Sequence, residues 1–279
     1  MPSPSHPRPS HRPLPAPPAA TAAAAAAEPE PRLRLAKFLA AAGLASRRAA
    51  EGLITAGRVA VNGQVVATPA CTVEPAHDRV TCDGQPVTLR PTTTVLMLHK
   101  PAGYTCSAHD PHAAKLALDL LPKEAGRLFS VGRLDRDSEG LLLFTNDGDL
   151  ANRLTHPRFG IPKTYRLLAR GRVTRQTCAA FQNGLEHDGE FLKAAEARIL
   201  GPGPEPGTTE LEIVLLEGRK REIRRLCSLQ HLFVLRLQRL RFGPVALGAL
   251  AAGAWRPLTD RELAALRRAG AAAAPQGAG

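Results

Sequence analysis

The sequence predicts an α+β chain in two units: a small one of helices and hairpins, then a larger one built on a mixed, mainly antiparallel β-sheet. Three observations carry that prediction. Apolar runs of strand length, such as "VLML" at 95 to 98 and "GLLLF" at 140 to 144, recur between turn residues. Helical patterns in the larger unit are confined to short stretches, 147 to 154 and 174 to 182. A break, "RPTTT" at 90 to 94, separates the halves. With 279 residues and 44% hydrophobic content, each unit can bury a modest core.

Residues 1 to 31, rich in proline and carrying an alanine tract, offer no periodic apolar pattern, so a disordered low-complexity tail is expected. An organellar transit peptide is the weaker alternative, raised by the lack of acidic residues before Glu28. The first folded unit is placed at 32 to 92. Two short helices are stopped by Gly43 and Gly57, with Ser46 as an N-cap between them. Asn62-Gly63 and Asp83-Gly84 mark hairpin turns. Arg47 and Arg48 follow the cap directly, where cations face the positive end of the helix dipole. Such a placement makes sense if an anion binds there, and a solvated charged face is the competing explanation.

The second unit is placed at 95 to 262, with 263 to 279 as a flexible tail. "VLMLHKPAGYTCS" reads as a buried strand entering a Pro-Gly turn; "RLFSVGRL" and "GLLLF" flank an acidic loop, and further strands fall at 164 to 169 and 210 to 216. In that loop Asp137, Ser138 and Glu139 fit solubility or a salt bridge, while Asp147 and Asp149 fit helix capping. Asp135 differs: it closes a strand between Arg133 and Arg136, where a nearby guanidinium would favour its ionised form, and it is the catalytic candidate.

Charge narrows the partner. Lys and Arg number 37 against 25 Asp and Glu, a net +12, which favours a polyanion, nucleic acid first. No apolar run approaches the ~20 residues of a spanning helix, so no membrane partner is expected. The five cysteines, Cys71, Cys82, Cys106, Cys178 and Cys227, are odd in number and lack metal-ligand spacing, which points to a reducing, cytoplasmic setting without a metal site. His156, His187 and His231 likewise show no ligand pattern. "GRKREIRRL" at 218 to 226, continued by Arg236, Arg239 and Arg241, interleaves cations with apolar residues and suggests a basic edge along a groove. Of the two tyrosines, Tyr165 lies between Lys163 and Arg166, favouring a polyanion-facing edge, whereas Tyr104 could equally be packing.

Two resemblances sharpen this reading. The string from "RLRLAKFLAAAGLASRRAAEGLI" to "VNG" at 61 to 63 resembles the small alpha-L RNA-binding module first described in a small-subunit ribosomal protein. It implies recognition of structured RNA, with Lys37, Arg47 and Arg48 as phosphate contacts. "GRLDRDSEGLLLFTNDGDLANRLTHPRFGIPKTYRL" closely resembles the signature of bacterial ribosomal RNA pseudouridine synthases of the RsuA/RluB type. "LHKPAGYTCSAHDPH", "LLEGRKREIRRLC" and the closing segment extend that likeness from Leu96 to Thr259.

The likeness implies the pseudouridine synthase fold and an isomerase. By motif, Asp135 would be the catalytic aspartate, Arg133 would hold the target base out of its helix, and Tyr165 and Ile223 would pack on it. Arg224 would pair with Asp135, with Arg219 as the alternative. Lys100, Arg219, Lys220 and Arg221 join the expected RNA contacts. The carboxylate could attack sugar or base, or take a proton. Because the reaction has no redox step, no cofactor or metal is expected. The expected partner is ribosomal RNA or a pre-ribosomal particle, acted on by a monomer. "ANRLTHPR" and "EGRKREIRRL" look like the large-subunit branch, and "KPAGYTCSAHDPH" is also similar to the small-subunit branch. The rival is a catalytically silent RNA-binding ribosome-assembly factor of the same fold. Asp135, Arg133 and Tyr165 together favour the enzyme, since binding alone would not call for an aspartate where phosphates approach.

Overall fold

The computed structural model describes residues 32–89, 92–107 and 113–271, so the tail expected at 1 to 31 lies outside the described residues. In the first unit β1 (Leu33–Arg34) leads into α1 (Leu35–Ala41), followed by α2 (Arg47–Thr55), β2 (Val59–Val61), β3 (Gln64–Val66), β4 (Thr72–Val73), β5 (Val80–Cys82) and β6 (Gln85–Val87). The Ser46 hydroxyl accepts from the Ala49 N–H at 3.0 Å, giving α2 its expected cap. Asn62-Gly63 and Asp83-Gly84 both adopt paired left-handed conformations, the geometry a two-residue hairpin turn requires, and join β2 to β3 and β5 to β6. Leu35, Phe38, Leu39, Ile54 and Val59 form the core between helices and sheet.

The second unit contains β7 (Val95–Lys100), β8 (Phe129–Val131), β9 (Glu139–Thr145), α3 (Gly148–Thr155), β10 (Lys163–Arg170), α4 (Arg175–Asn183), β11 (Leu185–His187), β12 (Glu190–Leu192), β13 (Glu196–Pro202), β14 (Thr208–Leu215), α5 (Glu222–Leu229), β15 (Phe233–Phe242), β16 (Val245–Ala246), β17 (Trp255–Pro257) and α6 (Asp260–Ala269). Its central sheet runs β13-β14-β10-β15-β9-β7-β17, with β8 beside β9 and β16 beside β15. Every pairing in it is antiparallel except β15 with β9, which meet over only Gln238↔Glu139 and Arg239↔Gly140.

That parallel junction joins two half-sheets, and the core divides by face. Leu96, Leu98, Leu142, Phe144, Tyr165, Leu167 and Leu237 pack on one side with α4 and α5. Val95, Met97, Leu141, Leu143 and Phe242 pack on the other with α3 and α6. Because β7 and β9 are covered on both faces, they read as unbroken apolar runs rather than alternating ones.

The structure corrects the expected flexible tail at 263 to 279. Residues 260 to 269 form α6, capped by reciprocal Thr259 and Glu262 hydrogen bonds, and Leu266 is fully buried against α3 and β9 neighbours. Only 272 to 279 lie outside the described residues. No helix among the described residues is long and apolar enough to cross a membrane.

Candidate active site

A loop and a helix start face each other across a cavity of about 490 Å³, lined by Arg133, Asp135, Tyr165, Ile223, Arg224 and neighbours. The sequence expects Asp135 to close a strand. In the structure β8 ends at Val131 and Asp135 lies in the loop before β9, where its carbonyl accepts from the Ser138 N–H at 3.1 Å. This loop is pinned from beneath. Leu134 is buried in the core, and its N–H donates to the Cys106 thiol at 3.4 Å. The Gly103 N–H donates to the Arg136 carbonyl at 2.6 Å.

Lys100 completes the support and overturns an expectation. Expected among the RNA contacts, it is instead fully buried, and its ammonium donates to the Ser138 carbonyl at 2.6 Å and the Pro101 carbonyl at 2.9 Å. It therefore cannot reach a phosphate; it ties β7 to the loop that carries Asp135. Burial lowers its pKa, opposed by the carboxylates of Asp137, Asp135 and Glu139 among others.

Across the cavity α5 is preceded by Arg221, its N-cap, in a left-handed conformation (φ 52°), which costs a non-glycine residue about 1 kcal/mol. Glu222 closes this turn: its buried carboxylate accepts from the Arg219 N–H at 3.0 Å, and burial raises its pKa. Here the structure differs from the expected pairing of Arg224, or Arg219, with Asp135. Among the described residues the arginine within ion-pair range of Asp135 is Arg221, at 3.9 Å. Arg224 instead meets Asp137 at 3.1 Å, and Arg219 meets Glu217 at 3.2 Å. The reason is helical spacing: Arg224 sits nearly a turn beyond Arg221 and reaches the next carboxylate along the loop. Arg221 also contacts Asp137, at 3.4 Å.

The remaining walls are Tyr165 on β10, Ile223 on α5 and Leu237 on β15, all nearly buried but bordering the cavity, while Arg133 is exposed at its edge. Lys220 and Arg221 are exposed along the same rim. Tyr165 does not owe its position to flanking cations, as the sequence suggested. Lys163 is buried and donates to the Ile161 and Leu216 carbonyls at 2.9 and 3.1 Å, and Arg166 faces away, paired with Glu210. The basic edge expected from β15 is likewise reduced. Arg239 is 2% exposed and donates to the Leu141 carbonyl, and Arg236 pairs with Glu139.

Lys163 is pushed down to about 8, first by burial and then by Arg239. Below pH 8 folded and unfolded chains both hold the proton and the folded state carries the whole penalty. Between about 8 and 10.5 the folded chain releases it first, so stability rises with pH. Urea midpoints followed by Trp255 fluorescence should show a gain of roughly 2 kcal/mol from pH 7.5 to 10 in wild type relative to Lys163→Met. Equal pH profiles for the two proteins would refute the buried charge.

In the first unit Lys37 and Arg47, both expected phosphate contacts, turn toward the second unit and meet Asp149 on α3 at 2.7 and 3.9 Å. Arg48 is exposed. Asp147 caps α3 as expected, accepting from the Asp149 and Leu150 N–H groups.

Residues 94–229 match the RNA pseudouridylate synthase family, and residues 33–78 match the S4 domain. The chain is 42% identical over 238 residues to an uncharacterized RNA pseudouridine synthase of Aquifex aeolicus, covering 85% of this chain and 94% of that one. It is 40% identical over 236 residues to ribosomal large subunit pseudouridine synthase B of Pseudomonas aeruginosa, covering 82% of this chain and 60% of that one. Among solved structures it is similar to a pseudouridylate synthase, with a TM-score of 0.59 and 29% identity, over 84% of this chain and 99% of that one.

Proposed function

The chain belongs to the RNA pseudouridylate synthase family, and on that premise we propose that it converts a uridine of large-subunit ribosomal RNA to pseudouridine with Asp135 as the catalytic carboxylate. The observation that carries the reading is the meeting of Asp135, Arg133, Tyr165 and Ile223 around one cavity large enough for a nucleobase. The printed name of the Pseudomonas aeruginosa relative supports the large subunit.

The isomerisation breaks the bond from N1 to the ribose C1′, turns the base and forms a bond from C5 to C1′. The proton lost at C5 is matched by one gained at N1, so atoms and electrons balance without an oxidant or reductant. Asp135 supplies the carboxylate that acts at the reacting centre, and Arg221, at 3.9 Å, holds a compensating charge beside it. Tyr165 and Ile223 give the base apolar walls that keep it from escaping between bond breaking and bond making. Extruding a base costs roughly a few kcal/mol; stacking on Tyr165 offsets part of it, and Arg133 at the rim fills the place the base leaves.

RNA would reach the first unit by exchanging Asp149 for phosphate at Lys37 and Arg47, with Arg48 already open to it. Incubating the purified full chain with large- or small-subunit rRNA tritiated at uridine C5 tests the reading, because each isomerisation releases that tritium to water. Stoichiometric release from the large-subunit RNA alone is expected. Release from the small-subunit RNA alone would reassign the substrate, and tight binding without release from either would leave the silent assembly factor.

A further inference from the structure

We propose that a second cavity, behind the arginines of the candidate active site, binds a nucleotide flanking the target uridine and stacks its base on Phe233. This cavity, of about 410 Å³, shares Arg221 and Arg224 with the first and is completed by Ser228, His231 and Phe233. The proposal rests on the chain acting on RNA through the Asp135 cavity, and it adds where the neighbouring residue of the strand goes.

The chain has eight phenylalanines, and Phe233 is 73% exposed, more than any other large apolar residue among the described ones. Its neighbours show why the ring is outside. Leu232 is buried and Val234 packs on the core, so Phe233 at the start of β15 points away from it. Further along, the pairing of β10 with β15 shifts register between Leu168 and Ala169, a bulge that leaves Leu235 exposed as well before Leu237 returns to the first cavity.

The chain reaches Phe233 through His231, which is left-handed (φ 54°) just past the end of α5, a position that glycine normally fills. An exposed aromatic ring beside two guanidinium groups and an imidazole is what a nucleotide needs: a face for the base and donors for its phosphate. Continuity through Arg221 and Arg224, whose guanidinium groups a phosphate would share with Asp137, sets the occupant as the strand that enters the Asp135 cavity.

The test measures Kd and single-turnover pseudouridine formation for the full chain on an rRNA fragment that wild type modifies. Phe233→Ala should weaken binding about tenfold, the effect of losing one stacked base, while Phe233→Tyr stays near wild type. On a series of fragments made abasic at single positions beside the target, one flanking abasic site should weaken wild type and abolish its difference from Phe233→Ala. An unchanged Kd for Phe233→Ala, or a deficit that persists on every abasic fragment, would overturn the proposal. So would a deficit seen only on pre-ribosomal particles and not on naked RNA, which would assign Phe233 to a protein contact. Failure of wild type to modify any rRNA would instead strike the proposed function, and it is read separately from the binding comparison.

Discussion

Asp135→Asn is expected to lower pseudouridine formation by roughly four orders of magnitude or more, with RNA affinity and folding nearly unchanged. Amide and carboxylate share shape and hydrogen-bond reach, so the change removes the charge and the anionic oxygen that the proposed chemistry needs and little else. The surroundings explain why folding survives. The Asp135 side chain is 30% exposed, and Arg221 keeps a nearer partner in Asp137, at 3.4 Å against 3.9 Å. No buried cation is left unpaired, so the stability change should stay within about 0.5 kcal/mol. If Asp135 served only to hold Arg221, the variant would melt lower and retain turnover in proportion to folded protein. Asp137→Asn offers the contrast. It loosens both Arg221 and Arg224 while leaving the proposed catalytic carboxylate in place, and should cost about tenfold or less in rate. Thermal melts beside single-turnover yields on one rRNA fragment distinguish these outcomes.

Gly140→Ala should be the most damaging single methyl group in the sheet, destabilising the second unit by roughly 4 kcal/mol or more. Gly140 has φ +106°, and a Cβ there would stand 2.3 Å from the Arg239 carbonyl oxygen and 2.6 Å from its nitrogen. Both obstacles are backbone, at the brief parallel contact that joins the half-sheets, and Gly140 also pairs with Lys100. Relief would have to separate β9 from β15 or displace the support of the Asp135 loop, so activity should fall with stability. Gly253→Ala isolates the conformational part. It has φ +84° but meets only Pro101 Cγ, at 3.9 Å, and should cost about 1 kcal/mol. The single tryptophan, Trp255 on β17, reports unfolding of the same sheet in urea. Similar midpoints for the two variants would show that the sheet accommodates the methyl and that the junction is not rigid.

What could be read from the sequence is what depends on near neighbours. Ser46, Asn62-Gly63 and Asp83-Gly84 act within a few residues of themselves, and each does in the structure what its local chemistry implies. The apolar runs of β7 and β9 were equally legible, because strands covered on both faces have no polar positions to confuse the pattern. Lys100 was not. A lysine before a Pro-Gly turn looks solvated, and its burial is set by the Ser138 carbonyl, which the chain brings back only through the sheet. Lys163 and Arg239 mislead in the same way, since each donates to a carbonyl on a segment distant in sequence, Leu216 and Leu141. The motif puts Arg221 with the RNA contacts rather than beside Asp135, because the choice among neighbouring arginines depends on where α5 starts and on the left-handed residue there. The helix α6 is a different case: Thr259 and Glu262 at capping-box spacing, followed by Leu263 and Leu266, were visible signals that the alanine-rich end obscured.

Isomerisation of uridine in this cavity is told apart from mere RNA binding by mapping pseudouridine at single-nucleotide resolution in unmodified ribosomal RNA after incubation with the purified full chain and, in parallel, with Asp135→Asn. The proposed function requires conversion of a specific uridine in the large-subunit RNA by wild type and none by the variant, although both bind. Conversion of the same uridine by a well-folded Asp135→Asn protein, or binding by wild type with no converted uridine in either rRNA, would contradict it.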